Sequence, residues 1–114
     1  MAAVLHFKGD PARTMQDVRT ALTRQLTGEP VAEIAYSLPG TEVLLLSREK
    51  FYLRNTSYAG LQILLCRSAD VFTADIIGSS GGAGLLNWSM GANAKQAQEA
   101  AAILEQQGFA RAEG

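Results

Sequence analysis

From Val31 to Gly91 the chain reads as a train of strand-like segments, with no interval long enough to hold a crossover helix. Parallel neighbours need connections of about a dozen residues or more, whereas antiparallel neighbours close through short turns. The segments are 31–38 (VAEIAYSL), 42–54 (EVLLLSREKFYLR), 58–67 (YAGLQILLCR), 71–77 (VFTADII) and 85–90 (LLNWSM). Between them stand Pro39-Gly40, Asn55-Thr56-Ser57, Ser68-Ala69-Asp70 and the glycine-rich stretch 78–84, all turn-forming in composition. This block can fold only as an antiparallel sheet.

The flanks differ. Residues 3–8 alternate, with Leu5 and Phe7 on one side and His6 and Lys8 on the other, which predicts a half-buried first strand. Asp10-Pro11 then offers an N-cap and a first helical residue. Met15, Val18, Leu22 and Leu26 fall on one stripe of an amphipathic helix of about four turns, which Gly28 and Pro30 end. After the strand block, Asn93 and Gln96 stand at capping-box spacing before an alanine-rich helix. Gly108 suits the left-handed position past its end, with Phe109 folding back onto Leu104. The last residues, 110–114, read as a frayed tail.

The predicted fold is therefore α+β: an antiparallel sheet of five to six strands in the order β-α-β-β-β-β-β-α, with both helices on one face. At 114 residues the chain has the size of one domain, and no linker or repeat divides it.

Two runs strain this picture. Val43 to Leu46 and Ile63 to Cys66 are apolar at consecutive positions, hence on both faces of the sheet. A sheet with one wet face should alternate. Two helices cover one face only, so the pattern predicts a homodimer or higher oligomer that uses the second face. The competing account is a bend or bulge that turns two halves of a strand in different directions.

Charge excludes some partners. Ten basic residues stand against eleven acidic ones, for a net charge of -1, with no run of either sign. Nucleic acid and anionic membrane demand a basic excess, so neither is expected. Cys66 is the single cysteine, which rules out an intrachain disulfide and fits a reducing compartment. No apolar run approaches the length of a membrane span, and the first residues lack a signal-peptide core. These features predict a cytoplasmic protein.

The residues that carry chemistry are sparse. His6 is the only histidine and reads as an exposed strand residue. Cys66, inside an apolar run, reads as a small buried hydrophobe rather than a nucleophile. One Cys and one His cannot furnish a zinc site, and no cofactor is expected. The stretch GSSGGAG lacks the succeeding Lys-Ser or Lys-Thr of a phosphate-binding loop, and the next segment looks like a strand. It reads first as a hairpin loop and second as a backbone nest for a polar ligand group. Glu49 and Tyr52 lie where the third strand turns from apolar to charged. Together with Ser79, Ser80, Gly81 and Gly82 they form the candidate site for a small ligand. Asp75 sits in a strand, where burial would demand a partner. Trp88 reads as core.

The run Ser47 to Tyr52 in a long strand, the Leu61 to Leu65 strand, the Ser80-Gly81-Gly82 turn and the N-capped last helix together resemble a family of short bacterial proteins catalogued only as a domain of unknown function. The resemblance spans nearly the whole chain. It implies a bacterial, cytoplasmic α+β domain and supplies no activity or catalytic residue. The expected function is a non-enzymatic oligomeric binding or interaction module. The alternative is a small-molecule-binding domain or enzyme with a pocket between sheet and helices.

Overall fold

The computed structural model describes residues 3–52, 57–80 and 92–112. The elements run β1 (Ala3–Gly9), α1 (Met15–Gln25), β2 (Glu29–Leu38), β3 (Thr41–Tyr52), β4 (Ser57–Ser68), β5 (Phe72–Ser80), α2 (Ala92–Gln106) and β6 (Ala110–Ala112). The six strands form one antiparallel sheet in the order β2-β3-β4-β5-β1-β6. The α+β class and the antiparallel strand block are as the sequence predicts. Residues 85–90, expected as a strand, and Trp88 lie outside the described residues.

One face of the sheet and both helices enclose the core. Phe7, Leu44, Leu46, Leu61, Ile63, Leu65, Phe72, Ala74 and Ile76 come from the strands. Against them pack the whole predicted stripe of the first helix, Met15, Val18, Leu22 and Leu26, and Ala97, Ala100, Ala101, Ile103 and Leu104 of α2. Alanines on α2 let its backbone approach the sheet closely, while Phe72 and Phe109 meet edge to face at 5.0 Å.

Both helix starts differ from expectation. The first helix begins at Met15, not Pro11, and has 11 residues, about three turns. Thr14 is its N-cap, its Oγ1 accepting from the Asp17 N–H at 3.1 Å. Asp10 instead organises a preceding turn: its carboxylate accepts from Ala12 N–H and its carbonyl from Arg13 N–H. Asn93 falls inside α2, which starts at Ala92, so it is not the N-cap. Gln96 does not close a capping box either, being buried with neither carboxamide atom hydrogen-bonded.

The end of α2 follows the sequence. Gly108 has φ +91°, Phe109 N–H donates to Leu104 C=O and Gly108 N–H to Glu105 C=O, which is the paired Schellman arrangement. The residues after it are not frayed. Ala110–Ala112 pair with His6–Lys8 as β6. The first three residues of the predicted glycine turn are strand instead. Gly78, Ser79 and Ser80 continue β5, paired with Leu61, Gly60 and Ala59, because β4 offers them an open ladder. Ser57 likewise opens β4 rather than closing a loop.

Candidate functional site

Strand alternation sorts the side chains into two sets. Odd residues of β1 and even residues of β5 face the helices, and their neighbours face away. On this second face the register builds cross-strand rows. One row runs Ile34, Leu45, Leu64, Asp75, His6 and Ala112. The next holds Tyr36, Val43, Cys66, Thr73 and Lys8. Among the described residues no helix lies on this face. Leu45, Leu64, Val43 and Ile77 are half-buried, and Ile34, Tyr36 and Val4 are exposed. The two-faced apolar runs are therefore real. Leu44, Leu46, Ile63 and Leu65 serve the core, and Val43, Leu45, Leu64 and Cys66 serve the open face. The bulge in this region lies in β2, between Pro30 and Ala32, and does not redirect β3 or β4.

His6 and Asp75 are the polar centre of that face. They sit directly opposite on β1 and β5, and the His6 Nδ1 is hydrogen-bonded to the Asp75 carboxylate. Their side chains are 25% and 29% exposed. His6 is thus a half-buried, paired residue rather than the exposed one that the sequence suggests, and Asp75 has the partner its position requires. A carboxylate-oriented imidazole is half of a general-base device. The other half is not supplied by Cys66. That thiol lies two strands away and one row along, about 10 Å or more at the spacing of neighbouring strands. Cys66 is half-buried on the open face, not in the core. Among the described residues no three His, Cys, Asp or Glu converge as metal ligands.

The residues expected to hold a ligand come together only in part. Glu49, Gly60 and Ser79 occupy one cross-strand row, so Glu49 and Ser79 flank a glycine. Ser80 lies opposite Ala59, and Tyr52 opposite Ser57, at the same end of the sheet. Glu49 is exposed. Gly81 and Gly82 lie outside the described residues.

A polar cluster missed at the sequence level lies just behind this row, between the end of α1 and the start of α2. Arg48 donates to the carbonyls of Thr23, Leu26 and Gly28, closing the end of α1. Lys50 donates to Thr27 Oγ1, and Thr27 donates through both its N–H and its hydroxyl to Glu99. Gln96 is buried beside them. A side chain on Gly28 would lie 3.4 Å from its Nε2 and 2.9 Å from the Glu49 carbonyl. Arg67 is similarly committed, to the carbonyls of Pro11 and Arg13 and to Glu42 at 2.8 Å. These cations are tied to the chain's own acceptors, so they do not form a free basic stripe.

A family model described as a family of unknown function matches residues 1–108. The chain belongs to this family, DUF6054. No curated protein matches the chain, and no solved structure does. The DUF6054 match covers every described element except β6, so the open face of β1 to β5 and the Gln96 cluster both lie inside the family domain. No helix of this DUF6054 member, among the described residues, is long and apolar enough to cross a membrane.

Proposed function

We propose that the protein is a non-enzymatic interaction module that works as a homo-oligomer, with the open sheet face as its contact surface and a second copy as the occupant. The observation that carries this reading is the apolar patch of Leu45, Leu64, Val43, Ile77 and Ile34 on a face with no helix over it among the described residues. An apolar centre with a polar rim is the ordinary anatomy of a protein contact, and here the rim is Lys8, Gln62 and Glu49. The polar pair near the centre, His6 with Asp75, is joined by a hydrogen bond. The distance between His6 and Cys66 speaks against a thiol enzyme.

Native mass spectrometry across a concentration series tests the proposal. The expected wild-type species is a dimer or larger. Leu64→Arg places a charge at the centre of the patch and spares the core, so it should lower the mass while leaving the circular dichroism unchanged. A wild-type monomer at every concentration overturns the reading.

A second reading rests on Gln96. Two buried carboxamide atoms without partners among the described residues, bordered by the backbone of Gly28 and Glu49, offer a donor and an acceptor to a small polar ligand. In this reading the protein carries a compound of small-molecule mass on purification, and Gln96→Leu loses it. Protein free of such a mass counts against it.

A further inference from the structure

We infer that β2 is a strand-addition edge, and that its occupant is the β2 of a second copy, giving one sheet continuous across two chains. The inference rests on the reading that the chain self-associates, but it uses a different surface from the open face. A sheet edge presents a row of unpaired backbone N–H and C=O groups. Proteins usually blunt such edges by shortness, lysine, proline, a bulge or a covering element. Among the described residues, the two edges of the sheet are treated differently. The β6 edge is three residues long. The β2 edge is ten residues long, and all ten are exposed.

The protective devices on β2 are confined to one end. Pro30 and the bulge lie before Ala32. From Ala32 to Leu38 the strand pairs with β3 without interruption and contains no proline, glycine, lysine or arginine. Its single charge, Glu33, is bound at 2.6 Å by Arg19 of α1. Ile34, Tyr36 and Leu38 stand 44%, 60% and 54% exposed. A long, exposed edge whose one charge is already paired is a template for another strand.

The register selects a second copy. The bulge-free stretch Ala32–Leu38 has Ala35 at its midpoint. A two-fold axis through Ala35, perpendicular to the sheet, pairs that stretch with itself antiparallel and in full. It sets Ile34 opposite Tyr36 twice, a β-branched residue against an aromatic, which is a favourable cross-strand pair. Glu33 falls opposite Ser37, so no like charges meet. Centring the axis on Glu33 would oppose the two glutamates. Centring it on Ile34 would bring Pro30 and the bulge into the pairing. Shifting the pairing by one residue would set each apolar residue against the wrong face. The self-consistent register also keeps the apolar side chains of both copies on one side, so the two open faces merge into one surface.

Two variants test this. Ala35→Lys places two ammonium groups face to face at the axis but only adds an exposed lysine to the isolated chain. Native mass spectrometry should show its assembly at half the wild-type mass with unchanged circular dichroism. In a Cys66→Ser background, Ala35→Cys should give a disulfide-linked dimer under mild oxidation, since opposed residues in an antiparallel pair bring their Cα atoms to about 4.5–5.5 Å. Ser37→Cys, opposed to Glu33, should not. A wild-type mass for Ala35→Lys, or equal cross-linking at Ser37, overturns the edge pairing. If Leu64→Arg lowers the mass and Ala35→Lys does not, the open-face reading stands and this inference alone falls. A wild-type monomer removes both.

Discussion

Gln96 is 1% exposed and leaves both atoms of its carboxamide without partners. A buried amide in that state costs about 1–3 kcal/mol. Gln96→Leu keeps the volume and removes the unpaired groups, so urea denaturation should show a gain of about 1–2 kcal/mol. A loss of stability would mean that the carboxamide has a partner in solution. The sequence suggests another role, because Asn93 and Gln96 have capping-box spacing. The helix already includes Asn93, and its winding places Gln96 in the interior. Gly9 is the converse case, a residue whose lack of a side chain is used. A Cβ there would lie 2.6 Å from the Phe109 ring. Gly9→Ala should cost about 1–3 kcal/mol, and Phe109→Leu in the same chain should recover part of it, as a thermal-melt double-mutant cycle would show. Nothing in the local sequence links these two positions. The same holds for His6 and Asp75, which are 69 residues apart and meet only because β1 pairs with β5.

At the scale of elements, the chain around α1 offers two helix starts, and the second one is used. Asp10-Pro11 fits a start well, yet Thr14 is the cap because Met15 is where the buried stripe begins. Thr14→Ala should cost about 1 kcal/mol. Asp10→Ala should cost less, since the N–H that it serves is exposed. Chemical denaturation of the two variants ranks them, and the reverse order would restore Asp10 as the cap. Apolar periodicity made the stripe of α1 and the meander from β2 to β5 legible. It failed where composition and pairing disagree. Gly78-Ser79-Ser80 has loop composition but is drawn into β5 by the ladder that β4 provides. Ala110–Ala112 has no strand signal and becomes β6 because Phe109, anchored in the core, delivers it beside β1.

At the scale of the molecule, antiparallel strands joined by short turns were readable, since neighbours in sequence are neighbours in space. The placement of β1 was not, because non-local pairing leaves no mark on either strand. The candidate site was legible only as a region: Glu49 and Ser79 share a row, but the Arg48, Thr27, Lys50, Glu99 cluster behind it depends on the way α1 meets α2. If copies associate only when folded, stability must depend on concentration. The wild-type Tm should rise across a hundredfold dilution series from its most dilute to its most concentrated sample. In Leu64→Arg that dependence should weaken, and a wild-type Tm independent of concentration would count against self-association.

The position of β1 between β5 and β6 has a consequence for how the chain reaches this state. Both partners of the first strand are made after most of the chain. During synthesis Val4 to Lys8 must therefore emerge and wait, while β2 to β5 zip together through hairpins that close locally. Closure of the sheet is a late, long-range event whose rate is governed by loop entropy. Until it happens Leu5 and Phe7 lie outside the core, and a nascent chain that stalls before β5 displays them to whatever is near.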